Sequence, residues 1–138
     1  MEPSSDTISQ RLIVKHRLLI TGYRHWTDQE TIRIALTAAR TILGDHTTLV
    51  QGNCPNGGAD LIAKTFWNLW QLPVESHPAD FNKLGRRAGP LRNQHMVDLG
   101  ATLCLAFQHT KSRGTKDCIR RATLAGIPVR IFNAQEEG

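Results

Sequence analysis

Short apolar runs that end at a glycine alternate with helical patterns along this chain, and this alternation constrains its fold most. Residues 17–21 (RLLIT) lead to Gly22, and residues 47–51 (TTLVQ) lead to Gly52. Runs of this length and composition predict strands that are buried on both faces of a sheet. Residues 28–43 lie between them and carry apolar side chains at helical spacing, which predicts an amphipathic helix. The three segments therefore predict one strand–helix–strand unit.

The same alternation continues along the rest of the chain. Thr27 or Asp28 is the predicted N-cap of the first helix, and Gly44 is its predicted terminator. Further strands are predicted at residues 73–76, 102–107 and 128–132, and further helices at about residues 59–69, 89–99 and 115–125. Each crossover between parallel strands must return over one face of the sheet. The sequence thus predicts an α/β fold, a single Rossmann-like three-layer domain with a mainly parallel sheet of about five strands.

One such domain accounts for nearly the whole chain, because 138 residues suit a single core. We assign residues 1–14 to a flexible N-terminal tail, residues 15–133 to the Rossmann-like domain and residues 134–138 to a C-terminal tail. The first ten residues are polar and lack the apolar core of a signal peptide, and no run of eighteen apolar residues occurs. We therefore expect a cytoplasmic protein without a membrane partner.

Cysteine, histidine and glycine spacing disfavours several common kinds of site. Cys54, Cys104 and Cys118 are an odd number at wide spacing, which predicts reduced thiols rather than a disulfide framework. The six histidines include no pair at metal-ligand spacing on one helix, so no metal site is expected. The loops contain neither a Walker A sequence nor a G-x-G-x-x-G fingerprint. P-loop ATP hydrolysis and ordinary NAD chemistry are therefore disfavoured, and no cofactor is predicted.

The loops that follow the strands carry the candidate binding residues. In parallel α/β sheets, ligands bind outside the carboxyl ends of the strands, where these loops converge. The first loop offers Gly22 for close backbone approach, Tyr23 to stack on a base and Arg24 to contact a phosphate. Trp26 in the same loop is expected to pack against the sheet rather than to bind.

The loop after the second strand, residues 51–60 (QGNCPNGGAD), is rich in glycine and asparagine. These residues accept positive φ and expose backbone N–H groups at the start of the next helix, so the loop is expected to cradle a phosphate or a ribose. Asn56 shares this backbone tolerance. The expected ligand contacts are Gly52, Asn53, Gly57 and Gly58. Asp60 either binds ribose hydroxyls or only caps the following helix.

Residues 88–96 (AGPLRNQHM) are predicted to place a small, sharply turning loop and a cation at the start of the helix expected from about residue 89 to 99. Free N–H groups and the positive end of the helix dipole attract an anion at such a start. Arg92 adds a guanidinium that can grip two phosphate oxygens, and Asn93 lies beside it.

The loop of residues 108–115 supplies a third predicted phosphate contact. It ends with Gly114 and Thr115 at another helix start. Lys111 and Arg113 in this loop are explained equally well as phosphate ligands or as ordinary exposed basic residues. The net charge of +5 favours polyanionic partners, although it does not separate a nucleotide from a nucleic acid.

Together these motifs resemble the SLOG superfamily, and the likeness is greatest to its YspA/YpsA-related branch. They occur in order from about residue 17 to 132, at residues 21–24 (TGYR), 58–60 (GAD), 78–80 (PAD), 88–96, 114–115 (GT) and 125–129 (AGIPV). The resemblance implies a Rossmann-like domain that binds, or in some members processes, nucleotides or nucleotide-derived signals. It also implies a setting in bacterial or phage conflict systems.

The wider superfamily includes the Lonely Guy phosphoribohydrolases and the single-stranded DNA-binding protein DprA. The Lonely Guy enzymes use an Arg and a Glu as their catalytic pair. Arg92 matches the Arg, whereas the Glu position falls at Cys118, with Asp117 one residue earlier. In an enzyme of this kind, Asp60 or Asp117 would have to supply the carboxylate that stabilises a ribosyl oxocarbenium ion or activates water.

We therefore expect a module that binds a mononucleotide or an ADP-ribose-like molecule, as a sensor or a sequestering protein. The alternative is a hydrolase of the N-glycosidic bond with Arg92, Asp60 and Asp117 as catalytic residues. Single-stranded nucleic-acid binding is the third possibility. Relatives often pair through helices that flank the sheet, so a homo-oligomer is expected. Trp67 and Trp70 fit such a contact or the core.

Overall fold

Five parallel strands form one sheet in the computed structural model of the protein, which describes residues 14–53 and 57–135. The strands are β1 (His16–Gly22), β2 (Thr47–Gln51), β3 (Val74–Ser76), β4 (Leu103–Gln108) and β5 (Val129–Asn133). Their order in the sheet is β3-β2-β1-β4-β5, and each neighbouring pair is parallel. Most of the two predicted tails and residues 54–56, with Cys54 and Asn56, lie outside the described residues.

Helices cover both faces of the sheet. They are α1 (Gln29–Leu43), α2 (Ala59–Leu69), the short α3 (Phe81–Leu84), α4 (Ala88–Asp98) and α5 (Arg113–Leu124), with a 3-10 turn at Gly85–Arg87. Leu18 and Ile20 of β1 pack in one buried cluster with side chains of α1 and α2. Leu19 packs in a second cluster with side chains of α4 and α5. The predicted α/β three-layer domain is therefore confirmed.

The ends of α1 follow from the predicted capping residues. Asp28 is the N-cap, and its carboxylate accepts a hydrogen bond from the backbone N–H of Thr31 at 3.1 Å. At the other end, Gly44 adopts a φ of +91° and donates its N–H to the carbonyl oxygen of Arg40. This positive φ favours glycine, which explains why the helix ends there.

The helix expected from about residue 89 to 99 is confirmed, but the small turning loop expected at its start is wrong, because the chain is already helical there. Asp80 caps α3 by accepting from the N–H of Lys83 at 3.0 Å, so helical backbone begins there. The 3-10 turn joins α3 directly to α4, and Ala88 donates its N–H to the carbonyl oxygen of Gly85. Pro90 is tolerated because it lies in the first turn of α4. Residues 88–90 are therefore not the open helix start at which an anion was expected to bind.

Trp67 of α2 and Trp70, the C-cap residue of this helix, belong to the core more than to the surface. Trp67 is fully buried and donates its Nε1–H to the carbonyl oxygen of Thr47 at 3.1 Å. Trp70 is partly buried, with its ring centre 5.8 Å from that of Trp67. Core packing is thus confirmed for Trp67, and its suggested role in a subunit contact is wrong. Cys104 and Cys118 are buried free thiols, as expected.

Candidate functional site

The carboxyl edge of the sheet carries the loops singled out from the sequence. The strand order changes direction between β1 and β4: β2 and β3 lie on one side, and β5 lies on the other. Such a switch point opens a crevice outside the strand ends, which is where α/β sheets bind ligands. The helices α2 and α5 also begin at this edge, since they follow the loops after β2 and β4.

Two of the predicted binding glycines are in close contact with the chain itself. A Cβ on Gly22 would lie 2.4 Å from the Cβ of Ala59, so β1 and α2 touch at this point. Gly58 has a φ of +76°, and a Cβ there would lie 2.4 Å from the carbonyl carbon of Arg24. The close approach predicted for these glycines exists. In this structure its partner is the chain itself, so the contacts of Ala59 and Arg24 already account for a glycine at each position.

Arg92 lies in α4 and joins the loops after β2 and β3. Its Nη1 donates to the carbonyl oxygens of Gly52 at 2.6 Å and His77 at 3.2 Å, and its Nε donates to Oδ1 of Asn93 at 3.0 Å. A Cβ on Gly52 would lie 2.1 Å from Nη1, so only glycine leaves room for the guanidinium. Among the described residues, no hydrogen bond is made by Nη2. The protein thus fixes this cation at the carboxyl edge with donor capacity to spare.

Asn93 and Asp117 connect α4 to α5. Asn93 is 4% exposed, and its Nδ2 donates to the carbonyl oxygen of Gly114 and to Oδ2 of Asp117. The same carboxylate accepts from Arg121 at 2.8 Å and from Arg120 at 3.1 Å. Burial raises the pKa of Asp117, but the hydrogen bonds from Arg121 and Asn93 outweigh it and keep the pKa below its usual value. This carboxylate is an interhelical link.

Asp60 and Thr115 are buried polar residues in the first turns of α2 and α5. Gly58 takes the N-cap position of α2, so the alternative in which Asp60 caps this helix is wrong. The hydrogen bond with Cys104 is the largest influence lowering the pKa of Cys118, and the charges of Asp60 and Arg92 act on that pKa in opposite directions. Opposite charges on α2 and α4 therefore lie near one buried thiol of α5.

The first loop places Tyr23 against a histidine that the sequence analysis did not single out. The rings of Tyr23 and His109 stack with centres 4.4 Å apart and an angle of 17° between their planes. His25 meets Tyr23 edge to face at 5.3 Å. His109 occupies one ring face of Tyr23 because β4, which it follows, lies next to β1. The pair borders an open cleft of about 470 Å³ that Trp26 and Gln135 also line.

The remaining predicted contacts lie around this edge. Asn53 is exposed with a φ of +50° and donates its N–H to the side chain of Gln51, while Gly57 has a φ of +93°. Arg24 is exposed. Trp26 is 5% exposed and packs on Phe107, as predicted.

A second cleft, of about 330 Å³, lies between the loop after β3 and the helix α4, and we call it the β3–α4 cleft. Its lining includes His77, Pro78, Leu91, Arg92 and His95. The rings of His77 and His95 meet edge to face with centres 5.2 Å apart. Sequence analysis missed both histidines because they are 18 positions apart and carry no metal-ligand spacing.

Two residues of the sheet, Glu75 of β3 and Arg17 of β1, fix the ring of His77. Its Nε2 lies 2.6 Å from Oε2 of Glu75, and Glu75 receives two bonds from the guanidinium of Arg17 at 2.9 and 2.6 Å. The hydrogen bond from Arg17 is the main cause that lowers the pKa of Glu75 from 4.5 to about 2. An ionised Glu75 therefore orients His77 at the edge of the cleft.

Comparison with known proteins supplies the family. Residues 16–84 match the YspA, cpYpsA-related SLOG family. The gene 61 protein of Mycobacterium phage D29 is 39% identical over 120 residues, which cover 84% of this chain and 95% of the phage protein. This chain belongs to the YspA, cpYpsA-related SLOG family. The SLOG family match extends from β1 to the end of α3, so it includes the glycine-rich loop and His77 but stops before Arg92.

No solved structure matches the chain. Among residues 14–53 and 57–135, no helix has the length and apolar character needed to cross a membrane. The same residues contain no group of three or more His, Cys, Asp or Glu side chains placed to hold a metal ion.

Proposed function

We propose that this SLOG-family protein binds a nucleotide or a nucleotide-derived small molecule at the carboxyl edge of the sheet. The ligand class is a mononucleotide or an ADP-ribose-like molecule, and the protein acts as a sensor or sequestering module. One observation carries the proposal: three hydrogen bonds fix the guanidinium of Arg92 at this edge, and its Nη2 makes none among the described residues. A cation that is already ordered binds phosphate at little further cost in side-chain entropy.

The surroundings of Arg92 support a ligand that combines a phosphate with a ribose. The first turns of α2 and α5 lie at the same edge, and the positive ends of their dipoles favour an anion. In this proposal, Gly114 and Thr115 offer backbone donors to the phosphate, and Asp60 accepts from ribose hydroxyls. The phage relative and the family resemblance favour a role in a bacterial or phage conflict system.

The bonds of Asp117 favour binding over cleavage. Hydrolysis of an N-glycosidic bond needs a carboxylate that faces the ribose or an attacking water. Asp117 already accepts bonds from Asn93, Arg120 and Arg121. Its carboxylate would have to give up these bonds to reach a substrate.

Calorimetric titration with AMP and ADP-ribose tests the proposal. We expect saturable binding that Arg92→Ala weakens about 10- to 150-fold, because a hydrogen bond to a charged group contributes about 1.5–3 kcal/mol. Arg92→Lys should recover part of the loss, since it keeps the charge without the planar fork. Arg33→Ala is the matched control, because Arg33 pairs with Glu30 on the exposed side of α1. Unchanged affinity in a folded Arg92→Ala protein contradicts the proposal.

A further inference from the structure

We propose that the heterocyclic base of the ligand occupies the β3–α4 cleft, with its face against the ring of His95. This inference rests on the proposed function and adds where the base lies. It differs from the expectation that Tyr23 stacks on the base.

The walls of the cleft suit a flat, uncharged heterocycle. They include the side chains of Pro78, Ala79, Leu84, Ala88 and Leu91. Leu91 is 50% exposed, so an apolar surface faces solvent there. Binding pockets for small molecules are mostly apolar, with a few polar groups that set orientation. A volume of about 330 Å³ accommodates a purine or a pyrimidine.

Two imidazole rings give the cleft its specific chemistry. His77 and His95 meet edge to face, so both rings border the same space. Histidine rings are among the side chains on which unpaired bases stack. Glu75 holds His77 at 2.6 Å, and a ring that is already oriented loses little freedom when a base binds.

The charges around the cleft favour a base within it and a phosphate beside Arg92. Asp80 lines the cleft, and its carboxylate accepts the N–H of Lys83. A negative side chain repels a phosphate there but tolerates a neutral base with exocyclic donors. Arg92 also lines the cleft and donates to the carbonyl oxygen of His77. A base in the cleft therefore places the ribose or phosphate beside the guanidinium.

The alternative position on Tyr23 has a cost that the cleft does not. His109 already stacks on one face of Tyr23, whereas the contact of His95 with His77 is edge to face. A base that replaced His109 would lose this protein contact in exchange for its own.

The test compares two variants with two kinds of ligand. The ratio of the Kd of ribose 5-phosphate to the Kd of the tightest ribonucleoside 5′-monophosphate measures the contribution of the base. We expect His95→Ala to lower this ratio about fivefold or more, the scale of one stacked base, and to leave the Kd of ribose 5-phosphate within twofold. His95→Phe should keep most of the ratio, because it retains a ring. His46→Ala, an exposed histidine away from the cleft, should change nothing.

Tyr23→Leu gives the opposite result if the base lies on the tyrosine. A ratio that falls in Tyr23→Leu and not in His95→Ala overturns the inference while the proposed function stands. If none of the nucleotides binds at millimolar concentration, both proposals fail. Photo-crosslinking of the unmodified chain with 8-azidoadenosine 5′-monophosphate provides a second readout, in which we expect labelling within residues 76–95. Labelling confined to residues 23–28 or 109–112 contradicts the inference.

Discussion

The two sides of the carboxyl edge differ in what fills the space beside their loops. On the β1 side, the chain itself occupies the room beside Gly22 and Gly58, and the open cleft there is bordered by a Tyr23 ring that already stacks on His109. On the β3 side, His77 and His95 border an open cleft with Arg92 at its edge. Glycine in a strand-to-helix loop thus indicates a close approach without indicating whether the partner is a ligand or the protein.

The largest expected effect is on stability, and it tests the contact that the chain makes with Gly58 on the β1 side. Gly58→Ala adds strain at a φ of +76° and a Cβ 2.4 Å from the backbone of Arg24. We expect a loss of about 2–4 kcal/mol in the free energy of unfolding, from backbone strain and overpacking together. Urea unfolding measures it.

Gly44→Ala is the matched control for this substitution. Gly44 has a φ of +91° but nothing within 4 Å of an added Cβ. The control therefore carries the backbone strain without the overlap, and it should cost about 1–2 kcal/mol. Equal losses in the two variants would mean that the contact between Gly58 and Arg24 contributes nothing.

Local patterns were enough to predict the sheet and most helices. The five strands and four longer helices start and end within about two residues of their predicted bounds. The α3 helix was missed because its four residues are too few to show helical periodicity. That omission also led to the wrong loop at the start of α4, since helical backbone already begins at Phe81.

The candidate site was predicted less completely than the fold, because its contacts join distant parts of the chain. Arg92 was chosen for its chemistry, but its contact with Gly52 spans 40 residues. Arg17 and Glu75 are 58 residues apart. The order β3-β2-β1-β4-β5 brings such residues together, and local periodicity carries no information about strand order. His77, His95 and His109 were missed for the same reason.

A smaller effect is expected on nucleotide affinity, where Gly52 in the loop after β2 meets Arg92 of α4. Gly52→Ala places a Cβ 2.1 Å from Nη1 of Arg92 and should displace the guanidinium. We expect it to weaken nucleotide binding by about 1–2 kcal/mol, most of the loss in Arg92→Ala. The double variant should bind as weakly as Arg92→Ala alone, because both changes remove one interaction. Additive losses in calorimetry would show that Gly52 contacts the ligand independently of Arg92.

The smallest expected effect concerns the carboxylate that holds His77. The folded state keeps the pKa of Glu75 near 2 against an ordinary 4.5. A lowered pKa means that its stabilisation is present above pH 4.5 and is lost as the pH falls towards 2. Because the side chain is 36% exposed, solvent screening reduces this contribution to about 1 kcal/mol.

Glu75→Gln should therefore flatten the pH dependence of the unfolding free energy between pH 4.5 and 2, which urea titrations at several pH values measure. Glu30→Gln is the control: the bond from Arg33 also lowers the pKa of Glu30, but this side chain is 63% exposed, so the variant should keep most of the acid dependence. If Glu75→Gln leaves the profile unchanged, folding does not lower the pKa of Glu75, and an ionised carboxylate held by Arg17 is not what orients His77. The position of His77 would then rest on ring contacts such as the one with His95, as the position of Tyr23 on the β1 side rests on its stack with His109.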